Sequence, residues 1–298
     1  MRKIDDEIQA LLLEHRGDIR SILKDNHRLD LLYALSSQRE LLLEWYDFEP
    51  EAEVLQVGAD YGALTGLFRS SVRAVTVLDD TESALETVRQ RYPGAANIYY
   101  RKDSLAGYAA EACAEGKKYD YVIFAGTLTA PYEKHIHAAK SLLKPEGILI
   151  VASANALGMK YFAGTVEEEN ALTKRQLTEL LCGDRETQSM ADESGALKFY
   201  YPMPDYKTPV SIYSDAYLPK KGDLTRVTPA YDYPPYHLME QGEKFDTVCE
   251  AGLFDLYANS YLVFWSADPK QLQKEDERIF MKYNKTRREE FQIKTCIC

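Results

Sequence analysis

The sequence predicts an α/β protein with a Rossmann-like, doubly wound, mainly parallel sheet of seven strands. Two observations carry that expectation. The first is the stretch Val54 to Gly66, V-L-Q-V-G-A-D-Y-G-A-L-T-G. Val54 to Val57 reads as a buried strand, Gly58 to Gly62 as a tight turn, and Ala63 to Phe68 as the start of a helix. In doubly wound sheets such a corner receives a nucleotide, because glycine lets the backbone approach a ligand and the helix end offers free N–H groups. The second is the alternation of strands and helices that continues to about residue 160, the pattern of a parallel sheet.

The elements follow in order. Residues 1–46 are helical in pattern: Ile4, Ile8, Leu11 and Leu12, then Ile19, Ile22 and Leu23, recur at helical spacing, and Leu31 to Trp45 continues the rhythm. The first part is expected to be an appended bundle or an oligomer contact. The second is expected to be the helix that precedes strand 1 and covers the ligand cleft. Strand 2 is Ala74 to Asp79, strand 3 Asn97 to Asp103, strand 4 Tyr119 to Gly126 and strand 5 Gly147 to Ser153. Thr173 caps a helix running to about Leu181, and Ala196–Tyr201 and Ser260–Trp265 supply strands 6 and 7.

About 55 residues, Pro202 to Asn259, separate those last two strands, and ten of the chain's 22 tyrosines lie between Tyr200 and Tyr261. A segment of that length is usually functional or a small subdomain. It reads as a proline-stiffened cover at the carboxyl ends of the strands, with Pro204 to Tyr217 nearest the acceptor pocket. The same tyrosines would also serve as the insertion's own core or as a protein interface. Gln271 to Arg288 reads as a charged helix, after which F-Q-I-K-T-C-I-C begins a strand-like alternation. The expected organisation is a helical segment at 1–46, a main domain at 47–268 carrying the insertion at 202–259, and a C-terminal helix and tail at 269–298.

Asp79 stands 21 residues after Gly58, close to the roughly 20 at which a strand-2 carboxylate reaches a ribose diol. The dinucleotide motif G-x-G-x-x-G would need glycines at 58, 60 and 63, and only Gly58 is present, which argues against a nucleotide-sugar or NAD enzyme. The spacing Gly58, position 60, Gly62 instead resembles the first motif of class I S-adenosylmethionine-dependent methyltransferases, E/D-x-G-x-G-x-G. Gln56 stands where the acid is usual and Asp60 where the middle glycine is. The leader L-L-K-P-E-G, Leu142 to Gly147, is common before the fifth strand of that superfamily.

Leu35–Phe48, G-M-K-Y-F-A-G (Gly158 to Gly164), Y-Y-P-M-P-D-Y-K-T-P (Tyr200 to Pro209) and I-Y-S-D-A-Y-L-P (Ile212 to Pro219) narrow the resemblance. Together they look like a bacterial methyltransferase family found with glycosyltransferases in surface-polysaccharide gene clusters. The resemblance implies S-adenosylmethionine as cofactor, held by Gly58, Asp60, Gly62, Asp79, Asp103 and Gly126. It implies a glycan-precursor or other sugar-like acceptor, and a glycosyltransferase as a candidate partner. Three departures put catalysis in question: the altered first motif, Thr129 in place of an acid after the fourth strand, and no D-H-x-G segment after Gly164. The alternative is a catalytically inactive methyltransferase fold that scaffolds a glycan-biosynthesis enzyme.

Composition sets the outer bounds. The 298 residues are 45% hydrophobic, enough for a proper core, and carry a formal net charge of −11. An acidic surface disfavours nucleic acid. No apolar run approaches a membrane span and M-R-K-I-D-D-E is no signal peptide, so the expected compartment is the cytoplasm. Cysteines 113, 182, 249, 296 and 298 lack C-x-x-C spacing, so neither a disulfide frame nor a metal site is expected. A sugar hydroxyl is a poor nucleophile and benefits from a general base. The candidates are His135, His137, His237 and Asp205, set against capping, surface and turn roles for each. His135 and His137 cannot share one helix face, because i and i+2 diverge.

Overall fold

The computed structural model describes residues 3–183, 195–225, 238–284 and 289–298. His237, one of the candidate bases, lies outside the described residues. By its contacts the chain forms two compact units, Met1–Thr127 with His137–Leu149, and Leu128–Ile136 with Ile150–Cys298.

The first unit begins with α1 (Lys3–Glu14), α2 (Ile19–Asp25), α3 (Leu29–Leu35) and a 3-10 turn over Ser37–Leu42. The helical spacing read from the sequence is used within the chain. Ile8, Leu12, Ile22, Leu31, Ala34 and Leu35 form a buried cluster against which Ile4, Leu11, Ile19, Leu23 and Tyr61 pack. The single helix expected over Leu31–Trp45 breaks at Ser36, whose hydroxyl accepts from the Gln38 N–H at 3.1 Å and so starts the 3-10 turn.

Strands β1 (Glu53–Val57), β2 (Ala74–Asp79), β3 (Ile98–Lys102) and β4 (Tyr119–Ala125) follow, with α4 (Thr65–Ser71), α5 (Glu82–Arg91) and α6 (Leu105–Ala114) as crossovers. β1 pairs in parallel with both β2 and β4, and β2 with β3. Val54, Leu55, Val75, Val77, Val122 and Ile123 are almost wholly buried, as parallel strands covered on both faces require. α7 (Tyr132–Ser141) then leads to β5 (Leu143–Ala154).

The second unit holds the end of β5, α8 (Met159–Phe162), α9 (Lys174–Cys182), β6 (Ala196–Met203), β7 (Ser211–Ser214), α10 (Gln241–Glu250), α11 (Phe254–Tyr257), β8 (Ser260–Ser266), β9 (Phe280–Asn284) and β10 (Ile293–Ile297). α9 carries a full capping box, Thr173 with Gln176, at the expected start. β6 is antiparallel to both β7 and β8, β7 to β9, and β9 to β10. The strand order is β10-β9-β7-β6-β8-β5-β4-β1-β2-β3.

Two expectations are corrected here. The sheet has ten strands rather than seven, because the insertion contributes β7 at the edge of β6 and the C-terminal stretch adds β9 and β10. The helix expected over Gln271–Arg288 is a 3-10 stretch, Pro269–Glu277, followed by β9, while residues 285–288 lie outside the described residues. The reason is the period: Met281 and Tyr283 are buried while Lys282 between them is exposed, a two-residue alternation that suits a strand against β7.

Among the described residues no helix is long and apolar enough to cross a membrane, and no group of His, Cys, Asp or Glu is placed to hold a metal ion. Ile8 has no exposed surface. Ile8→Ala should therefore lower stability by about 2–5 kcal/mol, seen as a drop in Tm.

Candidate functional site

The turn between β1 and α4 is held from several sides. Gln56, buried at the end of β1, donates its amide to the carbonyls of Gly58 (3.1 Å) and Ala59 (3.2 Å), and its Oε1 accepts from the Thr65 hydroxyl at 2.7 Å. From β2, Asp79 Oδ2 accepts from the Ala59 N–H at 2.9 Å, while Oδ1 accepts from the Thr81 N–H and hydroxyl at 2.9 and 2.7 Å. From the end of α5, Arg91 donates to the Tyr61 carbonyl at 3.0 Å, and Tyr92, which caps the helix, to the Gly62 carbonyl at 2.9 Å.

The backbone keeps the left-handed course that glycine allows, with φ of +86° at Gly58 and +72° at Gly62. Asp60 and Tyr61 share it, at +40° and +54°. Asp tolerates that region; for Tyr it costs about 1–3 kcal/mol and persists only where the surroundings fix it. Asp60 does not point into open space. Its carboxylate forms an ion pair with Arg39, which is 5% exposed and belongs to the 3-10 turn Ser37–Leu42.

Beside this turn lies a cleft of about 780 Å³, lined among others by Asp5, Asp60, Asp79, Asp80, Glu82 and Lys102. Of the residues that the sequence points to, the structure brings Asp60 and Asp79 into its lining. Gly58, Gly62, Asp103 and Gly126 are not in it. Thr127 donates its hydroxyl to the Val57 carbonyl, and its methyl would lie 2.5 Å from a Cβ on Gly58, so it sits directly over that glycine. The Asp103 carboxylate faces Gly107 at the start of α6. Asp80, an exposed residue of the lining, has no side-chain hydrogen bond among the described residues.

The catalytic candidates lie elsewhere. His135 is half-buried, and its Nδ1 lies 2.8 Å from the Thr129 carbonyl. A carbonyl can only accept, so Nδ1 carries the proton and Nε2 is left as the basic nitrogen. His137 is exposed. Asp205 is buried in the second unit, where Lys160 Nζ lies 2.7 Å from its Oδ2 and 2.7 Å from Glu168 Oε1. Lys160 has no exposed surface at all. Burial alone would lower its pKa, but the carboxylates of Asp205 and Glu168 hold it well above its ordinary value. Burial would likewise raise Asp205, and Lys160 beside it holds that carboxyl below the usual range instead. Asp205 is thus a structural carboxylate and not a poised base.

Sequence reasoning missed Lys160, although it lies in the quoted G-M-K-Y-F-A-G segment. A lysine in sequence gives no sign that it will be buried; carboxylates 8 and 45 positions away make that tolerable. Gln56 was noted only as a departure, and Thr127 not at all.

No protein-family model matches the chain, and no curated protein sequence does. Among solved structures it resembles the N-methyltransferase NodS from Bradyrhizobium japonicum in complex with S-adenosyl-L-homocysteine, at 19% identity over 49% of this chain and 72% of that one, with a TM-score of 0.36. It also resembles phosphoethanolamine N-methyltransferase 1 from Haemonchus contortus, at 14% identity over 88% and 48% of the two chains, with a TM-score of 0.46. A third is precorrin 8w decarboxylase from Methanobacterium thermoautotrophicum, at 17% identity over 56% and 77%, with a TM-score of 0.40. All three likenesses are distant, and the chemistry has to be read from this chain's own residues.

The Lys160–Asp205 pair yields a stability prediction. Lys160→Met leaves a buried carboxylate unpaired and should cost about 3–5 kcal/mol, whereas Lys160→Met with Asp205→Leu should recover much of it. The lowered Asp205 contributes stability above its unfolded value and loses it as pH falls through its folded value. The raised Lys160 contributes below its unfolded value and loses it as pH rises through its folded one. In Lys160→Met the unpaired Asp205 carboxyl is pushed up by burial instead, so urea unfolding should show the cost of the single variant largest at neutral pH and shrinking as mild acid protonates that carboxyl.

Proposed function

We propose that the chain binds S-adenosylmethionine in the cleft beside Gly58–Gly62 and transfers its methyl group, with a hydroxyl of a surface-glycan precursor or other sugar-like molecule as acceptor. The observation that carries the cofactor half is the charge of the cleft: five carboxylates, Asp5, Asp60, Asp79, Asp80 and Glu82, against one ammonium, Lys102. A dinucleotide would bring a pyrophosphate into that field and would need a glycine at position 60 for its approach. A ligand with a sulfonium, an ammonium and a ribose diol suits it better. The glycan half is supported by the four segments that resemble the polysaccharide-associated family, among them those around Lys160 and Asp205.

When bound, S-adenosylmethionine supplies an electrophilic methyl carbon on a sulfonium sulfur. This chain's residues would bind and orient it. Asp79 fixes the turn while Asp80, which holds nothing else among the described residues, is the carboxylate available to a diol. Asp205 is committed to Lys160, which leaves His135 and His137 of α7 as the described candidates for a general base.

Two observations favour the non-catalytic reading, a methyltransferase-like fold that serves a glycan-biosynthesis enzyme. Both Asp79 oxygens are already occupied, and Thr127 lies over Gly58. Isothermal titration with S-adenosylhomocysteine separates the two. Binding with a micromolar Kd is expected; no heat at millimolar ligand, together with co-purification of a glycosyltransferase, would leave the scaffold as the answer. Asp80→Ala should weaken binding about tenfold or more without moving Tm, as loss of a charged hydrogen bond does. Asp79→Ala should lower affinity and Tm together, because it also releases the turn.

A further inference from the structure

Helix α1 belongs to a segment that the proposed function leaves without a role, yet it reaches the cleft. Asp5, on its first turn, is among the lining residues. The Tyr61 hydroxyl donates to Asp5 Oδ1 at 2.7 Å. One turn further on, Gln9 Nε2 donates to the Ser83 carbonyl (2.8 Å), the Ser83 hydroxyl (2.9 Å) and the Thr87 hydroxyl (3.1 Å) of α5, and Ser83 and Thr87 line the cleft as well. Ile8 and Leu12 sit in the apolar cluster on which the Tyr61 ring packs.

Tyr61 is the link. It occupies a left-handed conformation, φ 54° and ψ 15°, in the turn that bears the glycines. Three contacts over-determine it: the hydroxyl on Asp5, the ring on the cluster, and the carbonyl held by Arg91. Two of the three come from the N-terminal helical segment. Strained residues fixed from outside in this way cluster at ligand clamps.

We propose that α1 is a wall and latch of the ligand cleft, with Tyr61 and Asp5 as its positioning residues, so that docking of the N-terminal helix and occupancy of the cleft are coupled. A ligand that needs the wall binds only the docked form and stabilises it, and by reciprocity a loosened helix weakens the ligand. The identity of the ligand rests on the reading above; the latch rests on the contacts just given.

The test uses the full chain, its Tyr61→Phe and Asp5→Ala variants and the double variant, with S-adenosylhomocysteine as probe. Alanine is a strong helix former, so α1 itself is kept. Titration calorimetry and amide exchange across residues 3–14 are measured with and without the probe. The probe should slow exchange in α1 of the wild-type chain. Each single variant should bind about fivefold more weakly, the loss expected for one hydrogen bond, and the double variant no more weakly than the weaker single. A helix that only packs would leave both readouts unmoved: wild-type affinity in the variants, or unslowed exchange on binding, overturns the proposal. If the wild-type chain takes up no probe, the cofactor reading is what has failed. The ligand-free arm then decides the latch: faster α1 exchange in Tyr61→Phe sustains it, and unchanged exchange overturns it.

Discussion

The first unit depends on a buried amide. Gln56 is the penultimate residue of β1, where the turn must leave the sheet, and its side chain closes that turn on both of its hydrogen-bonding faces, to two carbonyls ahead and one hydroxyl in α4. A carboxylate there could accept but not donate, so it could not hold the carbonyls of Gly58 and Ala59. The amide therefore reorganises the corner instead of merely replacing an acid. Asp79 completes the hold from β2.

With the turn fixed this firmly, residues that disfavour its conformation are accommodated. Asp60 and Tyr61 take up glycine's region of backbone space because Arg39 claims the one side chain and Asp5 the other. Asp60 is then directed by Arg39, and its charge is partly compensated instead of being presented whole to a ligand. The acidity of the cleft comes from several elements at once: α1, the turn, the end of β2 and the start of α5.

The second unit is organised by a comparable device in a different place. Asn155 donates to the carbonyls of Leu256 and Ala258 at 2.8 and 2.7 Å, and Asn259 joins the Lys160 N–H (2.8 Å) to the Pro204 carbonyl (2.9 Å). Both asparagines are fully buried. They bring the turn Pro204–Lys207 to the end of β5 and α8, so that Lys160 meets Asp205 out of water. A buried charge is tolerated there because every partner is supplied by a neighbouring turn.

The sequence by itself determined the parallel half of the fold and the antiparallel pair β6 and β8 beyond it. Hydrophobic runs and glycine spacing are local quantities, and β1 to β5, α9 with its capping box, β6 and β8 are all legible from them. It also marked the positions where the turn departs from the commonest pattern, Gln56 and Asp60. What those departures do was decided by tertiary structure, because Thr65 reaches Gln56 from 9 positions away and Arg39 reaches Asp60 from 21. The same holds for Tyr61 and Asp5, separated by 56 positions, and for Lys160 and Asp205, separated by 45. Two of the extra strands were hidden for a related reason. β7 lies between β6 and β9, and both β7 and β9 are specified by the antiparallel partners they pair with more than by their own residues.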